Sequence, residues 1–365
     1  MKRTSILKMA TAGLLSVSLL AACSSNDGES KKTVSNKNLT IQEITKNAKA
    51  EGEVNSVGMP DSWANWVGTW NDLKTKYSIK HSDTDMSSAE ELAKFESEKN
   101  NATADIGDVG IAFGPLAKEK GLTLPYKTSY WDEIPDWAKD EEGHWIVGYT
   151  GSIAFITDKH NVKKPPKSWA DLKNGDFKVT IGDVLKANQA QFGVLAAALT
   201  NGGDEKNIQP GVDFFANLAK QGRLRTTDPS LSALEKGEVD VAVVWDFNAL
   251  GYRDQIDKNR FDVVIPQDAS VVSGYATIIN KNAKHPNAAM LAREYVLSDE
   301  GQANLARGYA RPIRENVKLP EDAKAKLLPS DMYKNAHPIS DMKAWEQTTQ
   351  QLLQLWQEQV LINVK

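Results

Sequence analysis

Hydrophobic and polar positions follow two periods along most of this chain. An uncharged apolar run covers residues 9–20, behind a head carrying Lys2, Arg3 and Lys8. The run is too short to cross a bilayer as a stable helix, and the order of charge, short apolar core and small residues is that of an export signal. Residues 24–37 are mostly Ser, Asn, Lys, Asp and Gly and read as a flexible stalk. Helical spacing begins with Ile41, Ile44 and Ala48, and residues 54–59 form a first buried strand. Pro60, Asp61 and Ser62 read as a turn and helix cap, with Trp63, Trp66, Val67 and Trp70 at helical spacing behind them. Residues 78–81 make a short strand. Ser87 and Glu90 fit a capping box, opening a helix whose apolar face is Leu92, Ala93 and Phe95.

The alternation continues. Strands are expected at residues 104–109, 179–181, 239–245 and 261–266. Helices are expected from Trp169, over 189–199, 286–297 and 301–305, and as a long amphipathic tail over 342–361. Pro165 and Pro166 mark a surface turn. Strands alternating with helices predict an α/β protein with largely parallel sheets covered on both faces.

Composition narrows the class. The chain has 365 residues, 41% of them apolar, which is enough for two lobes of ordinary domain size. Its formal net charge is −4, and removing the export signal makes it more acidic; no basic block marks a nucleic-acid partner. Cys23 is the only cysteine, so no disulfide holds the fold. Leu20, Ala21 and Ala22 directly before Cys23 resemble the lipobox of bacterial lipoproteins. That resemblance implies cleavage before Cys23 and a diacylglycerol on its sulfur. Two acyl chains, at about 0.8 kcal/mol per buried methylene, suffice to hold a domain on a membrane surface.

Several later stretches carry a wider resemblance: residues 104–109, ending in Asp108 and Val109; residues 148–155; Ser168, Trp169, Asp171 and Leu172; Ser298, Glu300, Gly301 and Gln302; and Tyr309, Arg311, Pro312 and Arg314. In this order, behind a lipobox, they resemble the extracellular solute-binding proteins of bacterial ABC importers. The chain is similar to the branch that includes ferric-ion, spermidine/putrescine, thiamine, aminophosphonate and sugar-phosphate binders. The resemblance implies a two-lobed, periplasmic-binding-protein-like fold of type II with the ligand cleft between lobes. It places the signal at 1–22, the lipidated cysteine and stalk at 23–39, a discontinuous first lobe at 40–148 plus 273–365, and the second lobe at 149–272. It implies a small-molecule solute, permease subunits and, through the lipid, the membrane as partners. No cofactor is expected, and the chain is expected to be monomeric and extracytoplasmic.

Loops after strands should face that cleft. Asp61 and Ser62 either cap a helix or meet the ligand, and Trp63 is a cleft candidate. Asp108 ends a strand; Tyr149, Thr150 and Ser152 lie at the first crossing between lobes. Asp183 follows a strand, and Asn188 and Gln189 open the next helix. Trp245, Asp246 and Asn248 follow the most continuous apolar strand and are the leading candidates. Ser270, Ser273 and Tyr275 lie at the return crossing. Carboxylates with aromatic faces suit a cationic or amine-bearing solute such as a polyamine. A phosphorylated organic solute stays open, because helix N-termini hold phosphate without cationic side chains. Ferric iron also stays open, with Asp108, Tyr149, Asp246 and Tyr275 as oxygen donors, although the adjacent tyrosines common in iron-binding relatives do not occur. The histidines, His81, His144, His160, His285 and His337, have no metal spacing and most are expected at the surface. No hydrolase elbow, metalloprotease or phosphate-loop motif occurs, which leaves a secreted carboxylate-dependent hydrolase as the alternative from another class.

Overall fold

A computed structural model describes residues 39–364. The export signal, Cys23 and the stalk lie outside the described residues. Eleven strands form the sheet: β1 (Glu53–Val57), β2 (Lys80–Thr84), β3 (Ile106–Gly110), β4 (Trp145–Asp158), β5 (Val179–Thr180), β6 (Leu224–Arg225), β7 (Val241–Trp245), β8 (Phe261–Val264), β9 (Ser270–Ile279), β10 (Arg311–Pro312) and β11 (Ala336–Pro338). The main path runs β2-β1-β3-β9-β4-β7-β5-β6, with β8 and β10 on β4 and β11 on β9.

Pairing is parallel toward the two ends, where β1 meets β2 and β3 and where β5 meets β6 and β7, and where the short β11 joins β9. The expectation of largely parallel sheets fails in the middle. There β4 is antiparallel to β9, β7 and β8, and β3 is antiparallel to β9. The reason is the chain path: β4 carries the chain out of the first half of the sheet and β9 brings it back. Residues 145–152 of β4 pair with β9, and residues 153–157 pair with β7. Every residue of β4 is buried. Its register slips between Val147 and Tyr149, and a bulge of this kind re-aims the side chains beside it.

Thirteen α-helices surround the described sheet. The first group is α1 (Ile41–Glu51), α2 (Trp66–Tyr77), α3 (Ser88–Ser97) and α4 (Phe113–Glu119). The second is α5 (Trp169–Asn174), α6 (Asn188–Leu199), α7 (Gln209–Lys220), α8 (Leu231–Glu235) and α9 (Asp246–Ile256). The last is α10 (Pro286–Leu297), α11 (Asp299–Arg307), α12 (Glu321–Lys324) and α13 (Met342–Leu355). The Ser87–Glu90 capping box forms as expected. On the same helix Ala93 is exposed and Glu91 is buried, the reverse of the apolar-face reading.

Helix α2 begins at Trp66, three residues later than the tryptophan spacing suggests. Its N-cap is Asn65 in the left-handed region, and neither Asp61 nor Ser62 caps it. Both are exposed. Helix α7, not expected from the sequence, packs on α6 and receives the C-terminal segment through Phe215 against Trp356, with ring centroids 5.6 Å apart. The principal core cluster runs continuously from Ile44 through Tyr149 and Phe192 to Trp356. Among the described residues no helix is long and apolar enough to cross a membrane.

Candidate functional site

Where β4 and β9 cross, aromatic side chains converge on one carboxylate. Asp108 lies in β3 and is 2% exposed. The Tyr149 hydroxyl donates to its Oδ2 at 2.7 Å, and the Trp63 indole N–H donates to that same hydroxyl oxygen at 2.7 Å. Tyr275, directly opposite Tyr149 in the β4–β9 ladder, stacks on it at 5.6 Å and 9°. Trp63 meets Tyr275 and Phe247 edge-on at 5.5 and 5.1 Å. Trp66 meets Tyr149 edge-on from the α2 side. The result is an aromatic cage built from the loop after β1, the two crossing strands and the start of α9.

Burial dominates the electrostatics. Desolvation pushes the Asp108 carboxyl up to about 8, against the lowering effect of the Tyr149 hydroxyl that donates to it. Desolvation, with Asp108 beside it, drives the Tyr149 phenol well above its usual range. Asp108 Oδ1, Ser152 Oγ, Ser273 Oγ, Asn188 Nδ2, Trp66 Nε1 and Trp245 Nε1 are buried polar atoms with no hydrogen-bond partner. All belong to the crossing strands or to elements packed on the cage; the Thr69, Thr128 and Thr157 hydroxyls are likewise without partners.

Asp246, the leading sequence candidate, serves another purpose. Its Oδ1 accepts the Ser152 and Phe247 backbone N–H groups at 2.9 and 3.0 Å, and its Oδ2 accepts the Tyr333 hydroxyl at 2.6 Å. Its carboxyl is pushed up by burial to about 6. Both oxygens are engaged, so this residue ties β4, α9 and the C-terminal segment together. Trp245 is buried, with Gln189 Oε1 accepting its backbone N–H at 2.7 Å and the Asn248 side-chain amide at 3.1 Å. Asp183 caps its own turn by accepting the Leu185 N–H at 3.0 Å. Thr150 is buried in β4, opposite Gly274 and Arg311.

Beside the cage a groove of about 200 Å³ is lined by Asp61, Ser62, Asn65, Phe247, Asn248 and Tyr309 among others. The structure therefore brings Trp63, Asp108, Tyr149, Tyr275 and Ser273 to the crossing, with Asp61, Ser62 and Asn248 at its mouth. The sequence analysis passed over Phe247 and Glu91. Phe247 stands next to Asp246 in a stretch already singled out. Glu91 had no signal, since a glutamate in a first helical turn is normally solvated.

Of the four oxygen donors considered for iron, Asp246 is spent on its three donors. A different group, Asp140, Glu142 and His144, clusters within metal-ligand reach. There the Lys118 ammonium already lies 2.7 and 2.9 Å from the two carboxylates and offsets part of their charge. His81 is half-buried: it stacks on Trp70 at 3.7 Å, and desolvation lowers it to about 4.

Residues 101–336 match the family described as bacterial extracellular solute-binding protein. An uncharacterised protein of Haemophilus influenzae is 29% identical over 240 residues, 62% of this chain and 68% of that one. The sulfate-binding protein of Escherichia coli is 28% identical over 190 residues, 49% of this chain and 56% of its own length. Thus the chain spans only a little over half of that relative. Among solved structures, the periplasmic binding protein AfuA from Actinobacillus pleuropneumoniae, with fructose-6-phosphate bound, superposes with a TM-score of 0.67 at 19% identity, covering 84% of this chain and 98% of that one. The fold is that of the type II periplasmic binding proteins, two lobes with a cleft between them.

Proposed function

The chain belongs to the bacterial extracellular solute-binding proteins, and from that premise we propose that it captures a small amine-bearing cation and passes it to the permease of an ABC importer. One observation carries the solute class: a buried carboxylate, Asp108, closed in by Trp63, Trp66, Tyr149, Tyr275 and Phe247. A desolvated carboxylate favours an incoming positive charge, and aromatic faces add roughly 0.5–2 kcal/mol each to a cation placed over them. No lysine or arginine forms an ion pair with Asp108 among the described residues. In this reading the protein works as a monomer, tethered outside the cell through a lipid on Cys23, and closes its two lobes over the solute by bending at β4 and β9.

A second reading has its own support. The indole N–H groups of Trp66 and Trp245 and the Asn188 amide are buried donors without partners, and a neutral Asp108 is a donor too. Such a set suits an oxyanion. The E. coli relative is a sulfate-binding protein, and the AfuA structure holds a sugar phosphate. A thermal-shift panel separates the two. We expect spermidine or putrescine to raise the melting temperature, with sulfate and fructose-6-phosphate inactive. Stabilisation by the anions alone overturns the amine reading. Turnover of a glycoside or ester by the purified chain would favour the hydrolase alternative.

A further inference from the structure

A second carboxylate stands directly behind Asp108. Glu91, on the inner side of α3, is 1% exposed, and its Oε2 accepts the Asp108 backbone N–H at 3.1 Å. The space it occupies is shaped for it. A Cβ on Gly58 would lie 2.4 Å from one of its oxygens, and a Cβ on Gly107 would lie 2.5 Å from the other. Gly58 also holds a φ of +69°, which a side chain rarely tolerates. Both glycines are thus needed to admit this carboxyl beneath the ends of β1 and β3.

The groups around the pair are acidic or neutral. From β2 and its exit come Asp83 and Asp85, whose charges act on Glu91. Asp83 accepts the Ser56 hydroxyl and the Met59 N–H, and His81 on the same strand is kept neutral by burial. From α2 comes the Trp66 indole, from β4 the Tyr149 phenol, and from β9 Tyr275. Neither Glu91, Asp108 nor Asp83 forms an ion pair with a lysine or arginine among the described residues. Carboxyls taken out of water without a counter-charge, here one on each face of β3, are held in the neutral form by desolvation.

We propose that the unliganded site holds two protonated carboxyls, Asp108 in front and Glu91 behind, and that an ammonium group docking at Asp108 expels the front proton to solvent while Glu91 keeps its own. The inference rests on the amine reading above. One positive charge enters and one proton leaves, so the net charge of the buried site is unchanged by capture. Glu91 acts as a positioning residue: it holds the β3 end through the Asp108 N–H and contributes no charge. Burial raises both carboxyls, Asp108 to about 8 and Glu91 well above its usual range.

Infrared spectroscopy of the whole protein tests this, because a protonated carboxyl has a carbonyl stretch distinct from that of a carboxylate. At pH 6.5 two strong buried bands are expected, beside a weaker one from Asp246, whose carboxyl burial raises to about 6. Asp108→Asn should remove one and Glu91→Gln the other, and spermidine should abolish only the band assigned to Asp108. Calorimetry of spermidine binding in buffers of different ionisation enthalpy should report about one proton released per solute at that pH. Glu91→Gln, an isostere of the neutral acid, should keep both binding and release; Glu91→Ala should weaken binding at least tenfold. Spermidine binding without proton release, or with no band lost, overturns the inference and leaves the amine reading standing. If neither spermidine nor putrescine binds, both fall. If the unliganded protein shows no protonated carboxyl, the inference falls whatever binds.

Discussion

Asp108 and Asp246 are both buried aspartates beside strand ends, and their surroundings give them opposite roles. Asp108 has one oxygen on a tyrosine and one without a partner; Asp246 has both oxygens satisfied. For Asp108 a pH dependence follows. Its carboxyl is raised from 3.8 to about 8 in the folded state, so between those values the folded chain binds more protons than the unfolded one. The stability it contributes is full at low pH and is lost as pH rises through about 8. His81, lowered to about 4, acts in the opposite sense below 6.5, but it does so in wild type and variant alike. The Asp108→Asn protein should therefore have a flatter profile of melting temperature between pH 5 and 9, which differential scanning calorimetry checks. For Asp246 the expectation is structural. Tyr333→Phe leaves one buried oxygen of Asp246 without its donor and should cost about 1–3 kcal/mol in denaturant unfolding. Residue types, spacing and strand ends pointed to both aspartates alike. Which one keeps a free oxygen depends on Tyr333, which lies 87 positions away in sequence.

At the scale of elements, the segment between β1 and α2 decides whether the cage closes. Ala64 and Asn65 adopt φ of 46° and 57°, and Tyr309, on the same groove, has 69°. Non-glycine residues there carry strain of order 1–3 kcal/mol, which tends to accumulate at binding sites. Gly308 lies beneath them: a Cβ on it would sit 2.3 Å from the Ala64 carbonyl carbon and 2.5 Å from the Asn65 nitrogen. Gly308→Ala should push the segment outward, carry Trp63 away from Tyr149, and destabilise the fold by about 1–3 kcal/mol as overpacked sites do. Chemical unfolding together with solute titration checks it; a fully stable variant with unchanged binding would show that the segment does not control the cage. The tryptophan periodicity correctly placed a helix here but started it three residues early, because Trp63 is spent on the cage and not on the helix face.

The whole molecule joins a described body, residues 39–364, to an N-terminal segment whose role is inferred from residue order alone. The proposed tether makes one clear forecast: Cys23→Ser should move the protein from the membrane to the soluble fraction on cell fractionation. Retention at the membrane would mean that another feature anchors it. The proposed lobe boundaries at 148/149 and 272/273 fall inside β4 and β9, and the first coincides with the register slip before Tyr149. Bending at that point would move Tyr149 and Tyr275 together, coupling closure to the state of the cage.

Local pattern was sufficient for much of this. The α/β alternation, the capping box at Ser87 and most strands follow from periods, caps and strand ends, which are properties of neighbouring residues. Tertiary structure alone decided the antiparallel centre of the sheet, the engagement of Asp246, the inward turn of Trp63 and the burial of Glu91. Each of those depends on groups distant in the chain meeting at one point, and whether a polar side chain is solvated, paired or stranded there is a property of the place and not of the residue.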